Sequence, residues 1–145
     1  MAVSTIKVTR DKVRGYTYAM LHMAMHFVIA GLLYFAFQPD LSTNLDYLLP
    51  ILFGMVAIDL DHIPLWIKVG IRKYIRMRNY EERGKPRKYL LHNLLVIFIG
   101  IGGSLLVMIQ TFRPYGLFFM SMTLHLLWDM FEDVMVFDMG YGHWI

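Results

Sequence analysis

The stretch LDYLLPILFGMVAIDLDHIPLWI, residues 45–67, decides how the chain is read. It is almost uniformly apolar, yet near its end stand Asp59, Asp61 and His62, with Pro64 just behind them. Two carboxylates and an imidazole left unpaired in apolar surroundings cost on the order of several kcal/mol. A chain that keeps such a cluster there supplies it with a partner: a cation, a buried base or a bound metal.

Composition sets the medium. Of 145 residues, 57% are hydrophobic and only 17% charged, against about 45–50% apolar and about 25% charged in ordinary soluble domains. The apolar excess is gathered into four runs, about 15–37, 45–67, 89–112 and 115–137. Each is long enough for a helix to cross a bilayer, which takes about 20 residues. The expected fold is all-α: one integral membrane domain, 1–145, built as a four-transmembrane-helix bundle. The first run is too long for the apolar part of a signal peptide, and no small-x-small cleavage site follows it. With no cysteine, disulfides, thiolate metal sites and cysteine nucleophiles are excluded.

Charge sets the orientation. Thirteen of the 14 Lys and Arg residues fall before the first run or in the loop 68–88; Arg113 alone lies between the third and fourth. The positive-inside rule puts both termini and that loop in the cytoplasm, in a plasma (inner) membrane. Ile71, Tyr74 and Ile75 give the loop the pattern of a short interfacial helix. The basic excess, net +3, is thereby explained by orientation and anionic lipid, and no nucleic-acid motif accompanies it.

Inside the runs the ionisable groups are His22 and His26; Asp46, Asp59, Asp61 and His62; His92; and His125, Asp129, Glu132 and Asp133. No Lys or Arg joins them. Counting helix rise from the cytoplasmic ends places all but Asp46 in the inner half of the bilayer. Carboxylates there without a base either take up protons or bind a divalent metal, and neutral imidazole is the commonest protein metal ligand. His22 and His26 share a helix face, as do Asp59 and His62. Asp61 points about 200° away from Asp59 on an ideal helix, and a break at Pro64 would turn it back. His125, Asp129 and Asp133 step by four as one stripe, with Glu132 beside it as either a site residue or a helix-end charge. The methionines and Gly100, Gly102, Gly103 and Ser104 read as packing, and His143 as an ordinary residue outside the site.

These residues resemble the membrane-bound metal-dependent hydrolases of the YdjM-like kind. That family's pattern runs from an early His to Pro-Asp-Ile-Asp-His, then His-Arg-Gly-x-Thr-His-Ser, then His-x-x-x-Asp. Here His22 or His26 stands for the first, Ile58-Asp59-Leu60-Asp61-His62 for the second and His125-Leu126-Leu127-Trp128-Asp129 for the last. The third block departs: Arg87, Leu91 and Asn93 replace its first His, its Thr and its Ser, while Lys88 and His92 keep the basic residue and the final His. The resemblance implies metal-dependent hydrolysis and no particular substrate.

The expected function is hydrolysis of a lipid-associated ester or phosphoester at the cytoplasmic leaflet. The ligand candidates are His22, His26, Asp59, Asp61, His62, His92, His125 and Asp129, for one or two ions of Zn, Mn or Fe. Asp133 is the candidate general base, with Asp61 and His92 also counted as catalytic. Arg87 and Lys88 are the candidate headgroup contacts. Membrane lipids and a lipid-like substrate are the expected partners, and a homo-oligomer stays open. Alternatives are a metal-ion or proton carrier using the same site, a haem-binding bundle, and a non-catalytic membrane subunit that retains the metal site.

Overall fold

The computed structural model describes residues 2–38, 44–70 and 91–136. Every regular element among them is helical: α1 (Ala2–Phe37), α2 (Leu45–Ala57), a 3-10 turn (Ile58–His62), α3 (Ile63–Val69), α4 (Leu94–Ser104), two short 3-10 turns (Leu105–Met108 and Gln110–Phe112), α5 (Arg113–Phe131) and a π turn (Glu132–Val136).

The all-α expectation holds, but four unbroken spans do not. Among the described residues one helix is long and apolar enough to cross a membrane, over Met20–Phe37 with a mean hydropathy of 1.8. The other runs are interrupted, for local reasons. Pro64 has no N–H to give the Leu60 carbonyl, so the chain tightens and the Ile63 amide bonds Leu60 instead. The third run begins its helix at Leu94, because Asn93 is extended (φ −147°, ψ 162°) and its side chain accepts the Val96 amide. After the Gly102-Gly103 pair the same run tightens again, with the Leu105 amide bonding the Gly102 carbonyl. The apolar helix Leu94–Met108 is correspondingly short. The fourth run widens into the π turn at Glu132.

α5 is the central helix and packs on α1, α2 and α4. Small residues allow the approach: a Cβ on Gly54 would overlap Ser121 Oγ and the Phe118 carbonyl, and one on Gly100 or Gly103 would overlap Thr123 or the Phe119 ring. Gly102 meets nothing within 4 Å, so the packing role expected of it is not seen.

Ala30, Leu33, Ile51, Met55, Val107 and Leu117 form one apolar cluster, at the end of the bundle toward the α1–α2 connection. Ile58, Ile97, Met122 and Leu126 form a second. Beside these apolar clusters, large apolar side chains face outward and a set of polar ones is enclosed. Phe27, Leu32, Phe53, Phe98, Leu105 and Met108 are exposed, while His22, His26, His62, His92, His125, Asp129 and Glu132 are buried. Residues 71–90, and with them Arg87, Lys88 and the expected interfacial helix, lie outside the described residues; α3 stops at Val69 and Gly70 takes φ 79°.

Candidate metal centre

The inward polar groups meet at one place. α1 contributes His22 and His26, one turn apart. The 3-10 turn contributes Asp59, Asp61 and His62. The bend before α4 contributes His92, and α5 contributes His125 and Asp129. The π turn adds Glu132. Asp59, at 28% side-chain exposure, is the open edge of the cluster, whereas His125 is fully enclosed.

Asp129 lies at the middle. Its Oδ2 is 3.2 Å from both His92 Nε2 and His125 Nε2. Its Oδ1 is 3.6 Å from His26 Nε2 and 3.8 Å from His22 Nε2. Around the open edge, Asp59 Oδ1 is 3.5 Å from His62 Nε2 and 3.9 Å from His125 Nε2. The rings crowd together: His26 stacks on His125 with centroids 4.1 Å apart, and His22 meets His26 edge-on at 4.4 Å.

Three of the rings are held from behind. His22 Nδ1 is 2.6 Å from Glu132 Oε2. His125 Nδ1 donates to the Met55 carbonyl at 2.6 Å. His92 Nδ1 is 3.2 Å from Asp61 Oδ2, which also accepts the Leu91 amide at 3.0 Å. In each case an acceptor holds Nδ1 and Nε2 faces inward. That is how metal-ligating histidines are oriented, since the outer hydrogen bond fixes the tautomer and leaves the inner lone pair for the ion.

The donor set fits a divalent metal. Among the buried atoms that have no hydrogen-bond partner among the described residues are His26 Nε2, Asp59 Oδ1, Asp61 Oδ1 and Asp129 Oδ1. Such atoms cost on the order of 1–3 kcal/mol each if left so. Ligands on one Zn-sized ion at about 2.0–2.1 Å stand about 3.3 Å apart in tetrahedral geometry. Separations of 3.5–3.8 Å between imidazole and carboxylate are long for hydrogen bonds and near that spacing. Three sets of donor atoms are close enough to hold a metal ion: His22, His26 and Asp129; Asp59, His62 and His92; and His92, His125 and Asp129.

Seven of the eight sequence-derived ligand candidates therefore fall in these sets. Asp61 does not; it stands behind His92 and ties Leu91 to the 3-10 turn. Asp133 is half-buried in the π turn and belongs to none of the three sets. Glu132, left between two roles by the sequence, is 5% exposed and in contact with His22. The signal for it was available: steps of four drift about 40° each around a helix, so a residue seven past His125 returns closer to its direction than one eight past. The Met55 carbonyl carries no signal in a sequence. No family model, curated protein or solved structure matches the chain, so any family assignment rests on the motifs and on this centre.

Proposed function

We propose that the protein is a membrane-embedded, metal-dependent hydrolase acting on a lipid-associated ester or phosphoester at the cytoplasmic leaflet. The observation that carries the reading is Asp129, a 6% exposed carboxylate facing four imidazole nitrogens, with one oxygen lacking a hydrogen bond. Nothing in ordinary packing calls for that arrangement, and a divalent cation satisfies it.

Membrane embedding is supported by the Met20–Phe37 helix, the apolar exterior and the one-sided basic residues. In this reading α2 with α3, α4 with its 3-10 extensions, and α5 with its π turn cross as broken helices. Irregular backbone is tolerated at membrane depth where it lines a protein cavity, and the 3-10 turn lines this one.

When bound, a divalent ion, best matched by Zn with Mn or Fe also suited, would supply a water whose pKa is lowered to about 7 and a Lewis acid for the scissile group. The chain does the rest. His22, His92 and His125 are locked in one tautomer by Glu132, Asp61 and the Met55 carbonyl. The apolar clusters exclude bulk water, which strengthens electrostatic interactions within the centre. Asp59, at the open edge, faces the arriving substrate. Arg87 and Lys88, a few residues before His92 in sequence, supply positive charge for a phosphate headgroup. A carrier needs a polar route out of the other side, where the cluster from Ala30 to Leu117 is apolar and buried.

Protein purified in detergent without added metal is expected to retain a divalent ion by elemental analysis. It should hydrolyse at least one class of lipid ester or phosphoester in mixed micelles, and chelation should abolish turnover. Metal-free protein that takes up no Zn, Mn or Fe on incubation sinks the proposal. Glu132→Gln, which weakens the acceptor behind His22, is expected to lower metal affinity about 10–100-fold, as read by competition with a chromogenic chelator.

A further inference from the structure

We infer that the centre is built for two divalent ions bridged by the carboxylate of Asp129; this rests on the metal-dependent reading above. The two oxygens of Asp129 serve different histidines. Oδ1 faces the α1 pair, His22 and His26, at 3.8 and 3.6 Å. Oδ2 faces His92 and His125, each at 3.2 Å. One ion cannot serve both pairs. All ligands of a single ion at about 2.0–2.1 Å lie within about 4.2 Å of one another. The donor atoms instead fall into three sets, two of which share Asp129, and among the described residues no set joins the two pairs with its atoms within even 4.8 Å.

Charge closes the argument. Asp59, Asp61, Asp129 and Glu132 carry four negative charges when ionised, and the histidines as neutral ligands carry none. Two divalent ions balance them, whereas one leaves two charges uncompensated around a largely enclosed cluster that opens at Asp59. The inner position takes His22, His26 and Oδ1 of Asp129, all enclosed. The outer takes His92, His125 and Oδ2, and Asp59 and His62 lie beside it at the open edge. Substrate therefore meets the outer position, while the inner one lies behind it. Two ions about 3.5–4 Å apart can stabilise both the attacking and the leaving oxygen of a displacement.

The test uses Mn2+ alone. Full-length protein in detergent is stripped with chelator, loaded with Mn2+, freed of excess, and examined by elemental analysis and electron paramagnetic resonance. About two Mn per chain and an exchange-coupled spectrum are expected from ions at that spacing. His22→Gln combined with His26→Gln should lower the load to about one and give the six-line spectrum of an isolated ion. Asp59→Asn, at the exposed edge and the milder change to the fold, should weaken the outer ion alone and give the same spectrum at limiting Mn2+. Saturation of the unaltered protein at one uncoupled ion overturns the two-ion inference and leaves the metal-dependent reading standing. Two uncoupled ions overturn the bridge. No bound ion, in protein of normal helicity and elution volume, removes both.

Discussion

Asp129→Ala is expected to strip the centre of metal and reduce hydrolysis by roughly a thousandfold or more, the largest loss of any single substitution. The carboxylate is enclosed, and four imidazole nitrogens from three elements face it within 3.8 Å. Two neighbouring acids are engaged elsewhere, Asp61 by Leu91 and His92 and Glu132 by His22, and Asp59 faces His62 and His125 at the open edge. Asp129→Asn keeps the shape and removes the charge, so a matching loss in that variant separates ligation from packing. Asp133→Ala, four residues on, should keep its metal load, because Asp133 joins none of the ligand sets. Elemental analysis beside initial rates reads both. A full metal load in Asp129→Ala would remove the basis of the functional proposal.

Gly54→Val should be the most disruptive change outside the centre. A Cβ there collides with Ser121 Oγ and with the Phe118 carbonyl, a backbone atom with no room to retreat, and the Met122 amide is 3.2 Å away. Overpacking of this kind costs about 1–3 kcal/mol, or roughly 5–10 °C in thermal unfolding. The damage reaches the centre, since Gly54 precedes Met55, whose carbonyl holds His125 at 2.6 Å. Gly102→Ala is the control. It points into open space, and its higher helix propensity should leave stability unchanged or raise it by up to about 1 kcal/mol. Both are measured by thermal unfolding in the same detergent.

Much of the centre was legible because its residues are anomalous where they stand. His22, His26, Asp59, His62, His92, His125 and Asp129 are polar groups in apolar runs, and shared depth predicted that they meet. The interruptions were partly legible: Pro64 foretold a break behind Asp61, whereas Asn93 was read only as a departure from the third motif block when its side chain starts a helix. Element lengths failed because hydropathy reports the medium and is blind to whether a run is α, 3-10 or π. The enclosure of Glu132 beside His22 was hard to read for the same reason. Counting in fours ignores angular drift, and the π turn alters the winding where the count matters most. The Leu91 amide and the Met55 carbonyl were out of reach, since a backbone group becomes a partner only once the chain is folded.

The mutual holding of these side chains also constrains how such a protein can change over generations. Each imidazole of the centre faces a carboxylate or carbonyl, and each carboxylate faces at least one imidazole. Losing any one member leaves its neighbours buried and unsatisfied at a cost of about 1–3 kcal/mol apiece. A lineage that no longer needs the activity gains little by discarding residues singly, and regains stability only by exchanging the whole set for apolar side chains. Descendants should therefore divide sharply into those that keep the nine-residue constellation and those in which it has vanished together, with few in between.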